Sequence, residues 1–274
     1  MKRIVLVGLG LIGGSVGQAL RQRLPSLELV GVDRQHVLQS EPVRCLLDEA
    51  IATDAIDFSY IRRLDADLVV LAVPVGVIVR NIRAWLECGV PLTDCGSTKR
   101  VIVAAAEGSP SRHWFVPGHP MAGRERGGFE SASHDLFRGR RWLVCPQGAS
   151  LAALSIVKVL VETVGALWTE MTPETHDLAV AMTSHLPQLL ASWLAASTSE
   201  QQRIAAGPAF ADMTRIAGGS ELIWKDIFET NAEPLAAAAR KAAADFLAVA
   251  EDLERTVPVL DRTLQLLAKA RRPI

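Results

Sequence analysis

The chain is poor in the features that would mark several protein classes. It has four cysteines in 274 residues, Cys45, Cys88, Cys95 and Cys145. They are far apart, so neither a disulfide framework nor a metal-ligand spacing is expected, and all four read as small buried thiols of a cytoplasmic protein. No metal is expected. The formal net charge is −1, and no basic stripe offers a nucleic-acid footprint. The longest apolar run, LVVLAVPVGVIV over 68–79, is broken by Pro74 and Gly76 and is too short to span a bilayer. Met1-Lys2-Arg3 leads straight into a glycine turn, so no leader peptide is expected.

What is present falls into two halves. Short β-like runs alternate with helical patterns as far as residue 171: RIVLV (3–7), LELVGVD (27–33), ADLVVLAV (66–73), VPLTD (90–94), RWLVCP (141–146) and ALWTEM (166–171). That alternation predicts a parallel sheet with helices on both faces. After Thr172-Pro173-Glu174, a helix start with Thr as cap and Pro at the first position, alanine- and leucine-rich helical patterns cover 174–198, 220–230, 233–254 and 257–270. We therefore expect an α/β domain over 1–171 and an all-α domain over 172–274.

The N-terminus reads RIVLVGLGLIGGS. Gly8, Gly10 and Gly13 form G-x-G-x-x-G between a strand and a helix, and Leu11 and Ile12 open that helix. The first glycine permits the tight turn, the second lets a pyrophosphate approach the backbone, and the third permits close helix–strand packing. Asp33 follows Gly13 by 20 residues at the end of the second strand, where a carboxylate accepts hydrogen bonds from ribose hydroxyls. The expected cofactor is NAD rather than NADP, although Arg34 beside it is placed to meet a 2′-phosphate. Val73 and Pro74 end the third strand, at the sheet edge where the cofactor would lie. Pro74 reads equally as a plain strand terminator.

Three polar groupings can reach the carboxyl ends of such a sheet. DCGSTK (94–99) brings Asp94, Ser97 and Lys99. GHPMAG (118–123) brings His119, with Glu125 just beyond. HDLAVAMTSHLPQ (176–188) and FADMTRIAGG (210–219) bring His185, Gln188, Asp212 and Arg215. GHPMAG has neither helix nor strand character, so His119 is expected on a loop. Pro187 is expected to kink its helix. Several of these residues have two open readings. His185 faces substrate or is a satisfied core histidine. His176-Asp177 reads as polar and capping residues at a helix start. Lys99 supports the serine loop or is solvated. Glu125 and Asp212 flank the substrate or are surface carboxylates.

Taken together, GLGLIGGS, DCGSTK, GHPMAG, HDLAVAMTSHLP, FADMTRIA and WKDIFETN (224–231) resemble, in order, the motifs of the prephenate/arogenate dehydrogenases of tyrosine biosynthesis. The resemblance implies a Rossmann-like domain followed by a helical dimerisation domain, hence a homodimer. It also implies NAD-dependent oxidative decarboxylation of a cyclohexadienol. In that scheme His119 is the base on the 4-hydroxyl, Ser97 orients it, and Arg215 binds a substrate carboxylate. A base of this kind is expected to titrate within about a unit of the imidazole reference near 6.5. Where family members carry a second histidine after the proline, this chain has Gln188, which can hydrogen-bond but not form an ionic contact. The rival readings are a β-hydroxyacid dehydrogenase or imine reductase, and a dinucleotide-binding regulator without catalysis. The first lacks its glycine-rich helix lysine here, and the second predicts loss of Ser97, His119 or Arg215.

Overall fold

A computed structural model describes residues 1–254 and 264–265. Six parallel strands form the main sheet: β1 (Arg3–Val7), β2 (Glu28–Asp33), β3 (Glu49–Ala52), β4 (Leu68–Leu71), β5 (Leu92–Asp94) and β6 (Phe115–Val116). Their spatial order is β3-β2-β1-β4-β5-β6, the doubly wound arrangement of dinucleotide-binding folds. In the central strand β1, Ile4 and Leu6 pack on one face and Val5 and Val7 on the other. A strand buried on both faces reads as a continuous apolar run for this reason.

Helix α1 (Leu11–Arg23) follows β1, and the short helices α2 (Gln35–Leu38), α3 (Glu41–Leu46) and α4 (Phe58–Arg63) lie between β2 and β4. Helices α5 (Val75–Leu86) and α6 (Arg100–Ala106) follow β4 and β5. Val16, Ala19 and Leu20 of α1 join Val157, Leu160 and Val161 of α7 (Leu151–Thr163) in the core on one face. Ile78, Ile82 and Trp85 of α5 and Ile102 of α6 fill the other.

RWLVCP and ALWTEM do form strands, β8 (Arg141–Val144) and β9 (Leu167–Glu170), but in a separate three-stranded sheet. Its third member is β7 (Gly118–Pro120), antiparallel to β8 with His119 opposite Leu143. The GHPMAG segment is thus not free of regular structure. Its first three residues become a strand because the backbone of β8 is there to pair with.

The rest of the described chain is helical: α8 (Pro173–Val180), α9 (Leu186–Ser197), α10 (Glu200–Arg203), α11 (Pro208–Thr214), α12 (Glu221–Thr230) and α13 (Ala232–Leu253). Thr172 caps α8 by accepting the Thr175 N–H, with Pro173 beginning the helix. The pattern over 174–198 is interrupted by a π-helical turn at Ala181–His185, just ahead of Pro187. A proline has no N–H to return to the preceding turn, and a widened turn absorbs its ring. The stretch 257–270 lies outside the described residues apart from Leu264 and Gln265. Among the described residues no helix is long and apolar enough to cross a membrane. The cysteines are free; Cys88 and Cys145 are buried, Cys95 is half-buried and Cys45 is exposed, so the expectation of four buried thiols fails at Cys45 and is met only in part at Cys95.

Candidate active site

The glycine turn after β1 is shaped by what a side chain would meet. Gly8 has φ +91°, and a Cβ there would lie 2.4 Å from the carbonyl oxygen of Ala72. A Cβ on Gly13 would lie 1.8 Å from the oxygen of Gly8. Around Gly10 there is open space, and no side chain caps the α1 N-terminus, which has no acidic residue in its first turn. The free N–H groups and the dipole there suit an anion, so the cradle fits a dinucleotide pyrophosphate.

Asp33 accepts the Leu9 N–H at 2.7 Å and the Arg34 N–H at 2.6 Å. Its carboxylate therefore fixes the glycine turn, and each oxygen keeps a lone pair for a further donor. Arg34 is exposed and forms no ion pair among the described residues. Pro74 is exposed at the N-terminus of α5. Two residues on, the Gly76 N–H donates to Asp226 of α12 at 3.0 and 3.2 Å, tying the helical region to this edge of the sheet.

At the end of β5 stands a wholly buried ion pair between Lys99 and Asp94. Asp94 accepts the Gly118 N–H at 3.0 Å and the Gly96 N–H at 2.8 Å. Lys99 Nζ donates to the Gly118 carbonyl at 2.6 Å. The pair thus grips both polar groups of the residue that precedes His119. Of its two open readings, Lys99 is buried rather than solvated. Ser97 is half-buried and makes no side-chain hydrogen bond to another described residue, so no hydrogen bond joins it to His119.

His119 is half-buried, and its Nδ1 lies 2.9 Å from Nε2 of His176. His176 Nδ1 lies 2.7 Å from Asp177 Oδ1, and both residues are buried. The carboxylate also accepts the N–H groups of Lys99 (2.7 Å) and Arg100 (3.0 Å) at the start of α6. The reading of His176 and Asp177 as local polar residues at a helix start is therefore corrected. They reach across to His119 and to the loop after β5, while Thr172 does the capping.

The donors and acceptors assign the protons along this chain. A carboxylate only accepts, so His176 carries its proton on Nδ1 and leaves Nε2 bare. His119 then donates from Nδ1, and its own Nε2 is left with a lone pair. That nitrogen hydrogen-bonds to none of the described residues. Burial, together with the Lys99 ammonium and with repulsion from any charge on His176 or His185, holds the His119 imidazolium well below its ordinary pKa. The expectation of near-neutral titration is corrected accordingly. His176 is also lowered, by burial, against the opposing pull of Asp177.

His185 sits in the π-helical turn, 1% exposed. Its Nδ1 is 3.1 Å from Asn231 Nδ2, and its ring packs edge-on against Trp224 at 6.2 Å. Burial pushes its pKa down to about 4. Gln188, buried one turn later, lines a cavity of about 460 Å³ with Ser192, Gly219, Trp224 and Phe228. Arg215 pairs with Glu125, both exposed, joining the segment beyond β7 to the turn after α11. Asp212 stands exposed on α11 with no hydrogen bond to another described residue. The structure thus brings together His119, His176, Asp177, Lys99 and Asp94, sets His185 and Asn231 beside them, and leaves Asp212 apart.

Comparisons with known proteins show the family. The family model described as "Prephenate dehydrogenase, nucleotide-binding domain" matches residues 16–170, and "Prephenate dehydrogenase, dimerization domain" matches 172–265. The glycine turn precedes the first match and stands on its geometry. The chain is 33% identical over 245 residues to a "Prephenate dehydrogenase" of Bacillus subtilis (strain 168), covering 85% of this chain and 65% of that one. It therefore spans about two-thirds of that relative's length. It is 29% identical to a "Cyclohexadienyl dehydrogenase" of Zymomonas mobilis, covering 85% of this chain and 82% of that one. Among solved structures it is similar to prephenate dehydrogenase from A. aeolicus in complex with hydroxyphenyl propionate and NAD+. There the TM-score is 0.82 at 26% identity, over 99% of this chain and 96% of that one.

Proposed function

Because the chain belongs to the prephenate dehydrogenase family, we propose that it carries out NAD-dependent oxidative decarboxylation of prephenate, arogenate or both, with His119 as the base. The observation that carries this reading is the bare Nε2 of His119. It faces away from His176, with its tautomer set by Asp177. A base must present a lone pair within reach of the proton it takes.

Bound NAD supplies the hydride acceptor. The residues suited to hold it are Gly8, Gly10, Leu11, Ile12 and Gly13 for the pyrophosphate, Asp33 for the adenosine ribose, and Val73 and Pro74 along the sheet edge. As hydride leaves the carbon bearing the 4-hydroxyl, His119 Nε2 takes the hydroxyl proton. The ring carboxylate departs as CO2, and its bonding pair enters the ring, which becomes aromatic. The resulting phenolate oxygen takes the proton back. An imidazolium disfavoured by burial returns it readily, so no net proton stays on the protein.

In this reading Arg215 binds a substrate carboxylate, which must compete with Glu125 for the guanidinium. Ser97 steadies the substrate hydroxyl against His119. Gln188 offers its amide from the cavity wall. We place the boundary between the cofactor domain and the helical domain at 171/172. We also infer a homodimer through the helical region. Among the described residues the core there is small, with Leu186, Leu235 and Ala238 buried, while Trp193, Leu222, Phe246 and Leu247 are exposed, an apolar surface that a second copy would cover. A cytoplasmic location suits four free thiols.

The test is NADH formation by purified protein with prephenate, then with arogenate, for wild type and H119A. We expect turnover with at least one substrate. In H119A, kcat should fall by about 10²–10⁴-fold with NAD affinity retained. Turnover with neither substrate, or a folded H119A keeping more than about half of wild-type kcat, overturns the reading.

A further inference from the structure

We propose that Asn231 is a positioning residue that fixes His185 as a hydrogen-bond donor, its Nε2–H offered to an acceptor oxygen of the substrate. This makes the site a pair of neutral histidines of opposite polarity. The inference rests on the dehydrogenase reading above and adds to it a role for two residues.

Asn231 is 2% exposed and sits between α12 and α13. The orientation of its amide is decided by Asp177, whose carbonyl oxygen lies 2.9 Å from Nδ2. A carbonyl only accepts, so the group facing it is the NH2. The same nitrogen lies 3.1 Å from His185 Nδ1. An amide nitrogen has no lone pair to give, so Nδ1 must accept, and a neutral imidazole that accepts at Nδ1 carries its proton on Nε2. A charged His185 would set N–H against N–H.

This orientation leaves Asn231 Oδ1 buried and without a hydrogen-bond partner among the described residues. A buried orphan acceptor is unfavourable. The fold accepts it and keeps both amide donors in use. Nε2 of His185 hydrogen-bonds to none of the described residues. Its ring is held edge-on by Trp224, which lines the cavity with Gln188. A charge on His185 also disfavours one on His119, which places the two imidazoles in one electrostatic neighbourhood.

The two tautomers are set by different groups of one residue. Asp177 works through its carboxylate and His176 to leave His119 accepting. Asp177 works through its carbonyl and Asn231 to leave His185 donating. A ligand that satisfies both must carry a hydroxyl for His119 and an acceptor oxygen for His185. A cyclic hydroxy acid meets that description, whereas an alcohol without a second oxygen satisfies half of it. The competing view holds His185 as a packing histidine with the same tautomer and no ligand.

The experiment is imidazole ¹⁵N NMR of the full chain labelled at its six histidines, with H185Q identifying the His185 signals. In wild type we expect Nδ1 bare and Nε2 protonated, and the Nε2–H to shift when the product 4-hydroxyphenylpyruvate is added with NADH. N231D, which replaces the donor by a carboxylate, should move the proton to Nδ1. It should lower kcat/KM about 10–100-fold, the range for losing a hydrogen bond to a charged group, with NAD affinity unchanged. N231A serves if N231D does not fold, and is expected to show mixed tautomers. A wild-type proton on Nδ1 overturns the proposal. So does an Nε2–H indifferent to product, or a tautomer switch in N231D without loss of kcat/KM. Because the wild-type tautomer is read without turnover, a protein inactive on prephenate and arogenate refutes the dehydrogenase reading separately.

Discussion

The ammonium of Lys99 donates to the carbonyl oxygen of Gly118 at 2.6 Å, so a lysine on the loop after β5 holds the backbone that carries His119. Its counterion Asp94 takes the N–H of the same glycine. Breaking a buried pair by removing one member leaves an uncompensated charge and typically costs about 3–5 kcal/mol. We expect K99M to lose stability of that order in urea unfolding, and its kcat to fall because β7 is no longer held in place. A loss under about 1 kcal/mol would mean that Asp94 finds another partner or protonates at little cost.

The chain from Asp177 to His119 predicts a contrast between two substitutions of His176. A leucine cannot accept from His119 Nδ1–H, so H176L should lower kcat by about 10²-fold, the low end of the general-base range. A glutamine can donate its amide N–H to Asp177 and accept at Oε1 from His119, so H176Q should stay within about tenfold of wild type, roughly 1.4 kcal/mol of barrier. NAD affinity should be unchanged in both. Equal defects in the two variants would reduce His176 to a space-filling role.

The first part of the fold could be read from the sequence for a physical reason. A central parallel strand is apolar on both faces, as IVLV is, and the glycines after it answer local backbone demands at Gly8 and Gly13. The capping of α8 by Thr172 is equally local. The site was legible only in part. His119 and His176 are 57 residues apart, and nothing in the spacing of either indicates their 2.9 Å contact. His176-Asp177 therefore reads as an ordinary helix start until the fold brings α8 against β7. β7 was missed because three residues flanked by glycine and proline gain strand character only by pairing with β8. The burial of Lys99 was hidden in the same way, since a lysine in a polar turn normally reaches water. Asn231, the last residue of WKDIFETN, carries no local sign of its two hydrogen bonds.

Cofactor preference tests the position of Asp33. Its carboxylate would repel the 2′-phosphate of NADP, and Arg34 beside it is exposed and forms no ion pair among the described residues. D33S should reduce the ratio of kcat/KM for NAD over NADP by at least about tenfold, a change of roughly 1.4 kcal/mol. Because Asp33 also accepts the Leu9 N–H, the variant should lose about 1 kcal/mol of stability. A wild-type preference for NADP would contradict the assignment of Asp33 to the ribose.

The site histidines predict how stability responds to acid. His119, His176 and His185 are all lowered in the folded state, His185 to about 4, with burial the leading cause in each. In the unfolded chain each returns to about 6.5. Between those values the unfolded state binds the proton and the folded state does not, so stability falls as pH falls. The contribution is fully present above about pH 6.5 and, for His185, is lost by about pH 4. At about 1.4 kcal/mol per pH unit, that one residue removes on the order of 3 kcal/mol across the window. Urea unfolding from pH 7 to pH 4 should show the decline, and H185Q should flatten it by a comparable amount, since glutamine does not titrate. The rate should behave differently. His119 stays neutral well below its ordinary range, so kcat should hold its neutral-pH value down to acidities at which an exposed histidine would already be charged. A kcat that halves near pH 6.5 in a fully folded enzyme would show that His119 titrates as if solvated, and would remove the basis for its proposed ease in returning the proton.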